Sequence, residues 1–238
     1  MNKQNLSKII LSVSDLVSII SSFFLSLAIL NAFVDNIADY LPYEQFDNRV
    51  AIHLLLSIIG VAWFWIRLRH YTYRKPFWFE LKEVLRTLVI LAVIELAIIG
   101  FSKLDSSRYL WFITWCITLV ITPTLRVISK NLLIRWNWYK KDTIIIGSGK
   151  NAVDAYRALK QERYLGLNIL GYIQTNIKGI NRLDIPSLEY ASLWDFAKPE
   201  TTQFILALEN GESEERDVWL RYLAKHKARY VTVVPTLR

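Results

Sequence analysis

With 238 residues, 53% of them hydrophobic, and a mean hydropathy of +0.24, the chain is too apolar for an ordinary soluble domain and has room for one or two domains. Its formal charge of +8 comes from Lys and Arg set beside apolar runs, a distribution that suits membrane topology and anionic lipid and speaks against a nucleic-acid partner. Cys116 is the single cysteine and lies in an apolar run, which excludes an intrachain disulfide framework or a cysteine zinc site.

Four runs are long enough to cross a hydrocarbon core of about 30 Å: Ile9–Phe33, Val50–Ile66, Val84–Phe101 and Tyr109–Leu125. The first follows Lys3 and Lys8 as a signal peptide would, but it is longer than a signal core and no small-residue cleavage site follows, so it reads as a retained span. The loop after it carries Asp35, Asp39, Glu44 and Asp47 against Arg49 alone. The next loop holds Arg67, Arg69, Arg74, Lys75, Lys82 and Arg86, and Arg126, Lys130, Arg135, Lys140 and Lys141 follow the fourth run. The positive-inside rule then places both termini on the cytoplasmic side of a multi-pass membrane protein.

Ser14, Ser18, Ser22 and Ser26 recur four apart in the first span and predict a face of small residues against which another helix packs closely. Asp15 beside that stripe and Glu95 within the third span are ionisable groups at membrane depth, which are functional candidates by default. The structural alternative pairs Asp15 with neighbouring Ser or Arg side chains and Glu95 with His53 of the second span. No pair of broken helices or inverted repeat points to a transport path.

The stretch from Arg67 to Leu81 mixes cations with Tyr71, Tyr73, Phe77, Trp78 and Phe79, a composition that anchors in the head-group layer, and Pro76 breaks any helix there. Pro123 predicts a kink or early stop near Thr122. Beyond it Leu125, Ile128, Leu132, Leu133 and Trp136 recur at helical spacing with Arg126, Lys130 and Arg135 on other faces, an amphipathic pattern expected to lie at the interface. The predicted division is therefore four transmembrane helices over 1–125, an interfacial helix over 126–141 and an α/β domain over 142–238.

That last domain opens with Thr143, three consecutive Ile and the glycine turn Gly147, Ser148, Gly149, Lys150 and Asn151, followed by helix-forming residues to Lys160. Strand, tight turn and helix in this order present backbone N–H groups to an anion, so these five residues form a candidate nucleotide or phosphate turn. The same glycines serve equally to let helix and strand pack closely. Further strands are predicted at Gly166–Ile173, Gln203–Leu208 and Tyr230–Val234, with a short third element at Ile185–Leu188 and helices at Tyr190–Phe196 and Glu212–Lys227. Their alternation predicts a small Rossmann-like parallel sheet. The second strand runs into Gln174, Thr175 and Asn176 without the acid that holds a ribose, and the turn lacks phosphate-loop spacing, which weakens an NAD or Walker reading. No catalytic constellation or metal-ligand cluster stands out.

The order of these parts, the loop Tyr71–Leu81, the junction Ile144–Ala152, the segment Gly166–Tyr172 and the ending Val231–Arg238 together resemble the N-terminal half of the large bacterial polyisoprenyl-phosphate sugar-1-phosphate transferases, nearest to their galactose type. The resemblance implies an inner-membrane protein of a family that moves a sugar phosphate from a UDP-sugar to undecaprenyl phosphate and begins O-antigen, capsule or exopolysaccharide synthesis. It also implies that the catalytic Asp-Glu pair and its magnesium lie in a further domain beyond Arg238, so no catalytic or metal residue is carried over. What the chain itself would supply is membrane anchoring, dimer support and perception of a nucleotide or UDP-sugar at the glycine turn. Two other readings stay open: the front end of a membrane nucleotide-sugar dehydratase, and a stand-alone noncatalytic scaffold that pairs with a separate transferase.

Overall fold

In a computed structural model, residues 3–33, 40–102, 108–175 and 184–235 are described. Asp35 and Asp39 of the acidic loop, Asn176 and the final Thr236 to Arg238 lie outside the described residues, as does the side chain of Lys3. The chain divides into two compact units, 1–139 and 140–238.

The first unit is a bundle of four helices, each long and apolar enough to cross a membrane: α1 (Lys3–Phe33), α2 (Tyr43–Ile66), α3 (Phe77–Phe101) and α4 (Arg108–Arg135). Pro42 and Pro76 sit immediately before α2 and α3, where a missing N–H is tolerated because the first turn of a helix leaves its donors unpaired. Of the kink or early stop expected at Pro123, the stop does not occur: α4 continues for three further turns. Thr118 and Thr124 hydroxyls donate to the carbonyls one turn earlier, the kind of compensation that lets proline sit inside a packed span. The cations of the C-terminal part of α4 face inward. Arg126 and Lys130 are buried, whereas Ile128, Leu132 and Trp136 are exposed.

Lipid is as apolar as leucine, so packing and polar contacts decide which helices pair. The serine stripe of α1 does this against α4. The hydroxyls of Ser14 and Ser129 lie 2.8 Å apart, Ser18 donates to Thr122 at 3.0 Å, and the hydroxyls of Ser26 and Thr114 lie 2.6 Å apart. Trp115 and Leu133 of α4 join Leu11, Ile19, Leu56, Leu88 and Leu91 in the main apolar cluster.

The second unit is a five-stranded parallel sheet of order β3-β2-β1-β4-β5, built from β1 (Lys141–Ile146), β2 (Leu167–Ile173), β3 (Ser187–Leu188), β4 (Gln203–Leu206) and β5 (Tyr230–Val233). Helices α5 (Lys150–Gln161), α6 (Leu193–Phe196) and α7 (Ser213–Lys225) complete it. The three isoleucines of β1 show why the strand is central. Ile144 and Ile146 pack with Leu193, Trp219 and Leu223 on one face, while Ile145 meets Ala152 and Tyr156 of α5 on the other. A strand covered on both faces reads as a continuous apolar run.

Candidate functional site

The glycine turn forms as expected at the C-terminal end of β1. Gly147 has a φ of +136°, and a Cβ there would strike the Ala207 carbonyl, so only glycine fits. Gly149 is the N-cap of α5 with an ordinary φ of −80°. Its lack of a side chain has a different use. A Cβ would lie 2.5 Å from Oε1 of Glu209, whose carboxylate accepts the Asn151 backbone N–H at 2.7 Å. A side-chain carboxylate of the same domain therefore sits at the helix N-terminus, where an external phosphate would be stabilised.

The other predicted residues are engaged in the same closure. Asn151 donates its side-chain amide to the carbonyls of Leu208 at 3.0 Å and Val234 at 3.4 Å, tying α5 to the ends of β4 and β5. Ser148 is buried and donates to the Thr175 carbonyl at 3.4 Å. Lys150 is exposed at the start of α5. Glu209 is held by a reciprocal cap, since its N–H donates to Glu212 at 2.7 Å and its own side chain accepts the Glu212 N–H. Thr175 then bonds the second oxygen of Glu212 at 3.0 Å. The signal for this arrangement was present in the sequence as Glu209 and Glu212 three apart after a strand, but nothing local linked it to a glycine turn 58 residues earlier.

A second constellation lies in the helical unit, where the N-terminal half of α1, the loop between α2 and α3, and the C-terminal part of α4 converge. Asp15 accepts from the Tyr71 hydroxyl at 2.6 Å and pairs with Arg126 at 2.9 Å. Arg126 reaches Glu80 at 3.4 Å, and Lys130 donates to the other Glu80 oxygen. An Arg126 guanidinium N–H also points at Nδ1 of His70 at 3.1 Å. Because arginine only donates, that ring nitrogen is the acceptor, and the proton is on Nε2, which donates to Glu83 at 2.7 Å. His70 is thus a neutral imidazole. Burial, reinforced by the Arg126 charge, pushes its pKa down to about 4. Burial and then the adjacent Asp15 carboxylate push the Tyr71 phenol well above its ordinary range. Phe64 and Tyr71 rings flank the Arg126 guanidinium at 4.9 and 5.5 Å.

Toward the other end of the bundle, Glu95 meets the expected His53 at 3.3 Å, together with Arg49 at 3.3 Å and the Trp115 indole N–H at 2.6 Å. The His53 Nε2 faces the Ile19 carbonyl at 3.0 Å, and that oxygen can only accept, so Nε2 is the donor. Asp15 and Glu95 were singled out by sequence; Arg49, Tyr71, Glu80, Arg126 and Lys130 were not. Among the described residues no group of three His, Cys, Asp or Glu side chains gathers as a metal site.

Four apolar spans and a parallel sheet of this strand order define a membrane protein carrying a Rossmann-like domain. Residues 69–207 match the family described as a CoA-binding domain, and the chain belongs to that family. It is also similar over its whole length to an "Uncharacterized sugar transferase" of Haemophilus influenzae, at 48% identity over 240 residues that make up 51% of that protein. The "Undecaprenyl-phosphate galactose phosphotransferase" of Salmonella typhimurium is 42% identical over 240 residues, 100% of this chain and 50% of the relative. The "UDP-galactose-lipid carrier transferase" of Erwinia amylovora is 41% identical over 236 residues, 98% of this chain and 49% of the relative. The chain spans about half the length of the curated relatives it matches, and the resemblance drawn from the sequence is borne out by them.

Proposed function

We propose that this chain is the membrane-anchoring and accessory part of an undecaprenyl-phosphate sugar-1-phosphate transferase of the bacterial inner membrane, with both termini and the α/β domain cytoplasmic. The observation that carries this reading is the whole-chain likeness, at 41–48% identity, to about half of three sugar transferases. The geometry agrees with an accessory role. The buried carboxylates of the helical unit are held by ion pairs or hydrogen bonds, and the glycine turn is closed by Glu209, so neither constellation offers a free acid, base or nucleophile. On this reading the helices anchor and support a homodimer, and catalysis with magnesium belongs to a transferase domain elsewhere. A nucleotide, UDP-sugar or CoA phosphate approaching the start of α5 would have to displace the Glu209 carboxylate.

The test is activity and company. The purified chain, given UDP-galactose, undecaprenyl phosphate and magnesium, is expected to yield no lipid-linked sugar phosphate, and product formation would overturn the accessory role. In native membranes an antibody to the α/β domain is expected to co-purify sugar transferase sequence, covalently joined or associated. Oxidoreductase sequence in its place would favour the front end of a nucleotide-sugar dehydratase.

A further inference from the structure

On the side of the bundle between α2 and α3, near the loop that joins them, a cavity of about 470 Å³ is lined by Arg67, Lys75 and Arg86 with Glu83, and by Trp63 and Ile90. The single carboxylate is already engaged, since Glu83 accepts from Lys75 at 2.5 Å and from His70 at 2.7 Å. Arg67 and Arg86 are exposed and form no ion pair among the described residues. Arg67 caps the C-terminus of α2, and Arg86 lies in the third turn of α3, where the charged N-terminal turns of that helix give way to an apolar run; Trp63 and Ile90 lie one turn deeper along the same two helices. A cationic floor below apolar walls at that depth complements one kind of molecule, a lipid with a charged phosphate and its chain in the bilayer. We propose that this groove holds the phosphate of an anionic lipid, with Arg67 and Arg86 as its ligands, Lys75 in support and the lipid chain along Trp63 and Ile90. A planar guanidinium suits this role because it pairs with two phosphate oxygens at once.

The groove belongs to the helical unit and its occupation does not depend on the transferase reading. Native mass spectrometry of the full chain, released from detergent in an equimolar mixture of phosphatidic acid and phosphatidylcholine, measures it directly. One phosphatidic acid is expected to be retained in preference to phosphatidylcholine. The R67Q/R86Q double variant is expected to weaken that retention about 30-fold, from roughly one juxtamembrane cation's attraction lost at each position, while R157Q in the α/β domain leaves it unchanged. Both arginines are exposed, so the variants keep the wild-type melting curve, and the single variants R67Q and R86Q are each expected to lose about 5-fold. No preference for the anionic lipid, or an equal preference in the double variant, overturns the proposal. So does displacement by millimolar inorganic phosphate, which would mean a site for the free anion.

Discussion

Replacing Glu209 with alanine tests the closed glycine turn most directly. The substitution removes a charge-assisted hydrogen bond to the Asn151 N–H at 2.7 Å and a negative charge at the positive end of α5. A hydrogen bond to a charged group contributes about 1.5–3 kcal/mol and a charge at a helix terminus about 0.3–1 kcal/mol. Partial exposure of Glu209 places the sum near the lower end, at about 2 kcal/mol. Hydrogen exchange of the α5 amides in the full chain reads this locally, and about 2 kcal/mol corresponds to roughly 30-fold faster exchange where opening is local. Gly149→Ala supplies the control. Its Cβ would lie 2.5 Å from Oε1 and 2.7 Å from Cγ of Glu209, so it should expel the carboxylate and speed exchange similarly. In the E209A background the same alanine has no carboxylate to expel, and the two changes should be non-additive by about 2 kcal/mol. Millimolar sulfate should restore protection to E209A by taking the vacated N-terminus. Unchanged α5 exchange in E209A, or equal effects of Gly149→Ala in both backgrounds, would refute the assignment of Glu209 as the anion at this site.

Three other outcomes follow from the helical unit. His70 has its folded pKa lowered from 6.5 to about 4, so the unfolded chain binds the extra proton first. Stability should be complete above about pH 6.5 and fall by up to about 3 kcal/mol as the pH drops toward 4, and His70→Gln should flatten that part of a melting-versus-pH curve. Lys130→Met leaves Glu80 facing Arg126 alone and should destabilise the bundle by about 3–5 kcal/mol in micellar unfolding followed by tryptophan fluorescence, whereas Lys130→Arg should lose much less. Glu95→Gln strands the buried Arg49 cation and should cost a similar amount, with the R49M/E95Q double variant recovering most of it.

Much of the fold was legible because its signals are local. Ile144, Ile145 and Ile146 announce a strand covered on both sides, and the glycines after them announce the turn. The four spans follow from the length of their apolar runs. The reading failed where the deciding partner was distant. An early stop was one of the two outcomes expected at Pro123, because an isolated helix has nothing to replace the lost hydrogen bond, yet α4 runs on, supported along its length by the serine face of α1. Arg126 and Lys130 were placed only on the non-apolar faces of an interfacial helix, with no partner named. Asp15 and Glu80 draw them inward, and those carboxylates lie 111 and 50 residues away in sequence. Glu209 was missed for the same reason.

The buried charges also explain how the bundle chooses one arrangement. Leucine and isoleucine faces pack against lipid nearly as well as against each other, so apolar burial alone leaves the order and register of four similar helices weakly determined. A misplaced carboxylate or guanidinium in hydrocarbon is expensive, which penalises every arrangement except the one that pairs it. Asp15 with Arg126 ties α1 to α4, Glu80 with Lys130 ties α3 to α4, and Arg49 with Glu95 ties α2 to α3 near the other end. The three ties link all four helices in a chain, and Tyr71 and His70 fasten the intervening loop to the first tie through Asp15 and Arg126. An ion-conducting or proton-carrying path needs groups that exchange partners. Here the pairing resists exchange, because opening any tie exposes two charges at once, and this favours a fixed bundle over a moving gate.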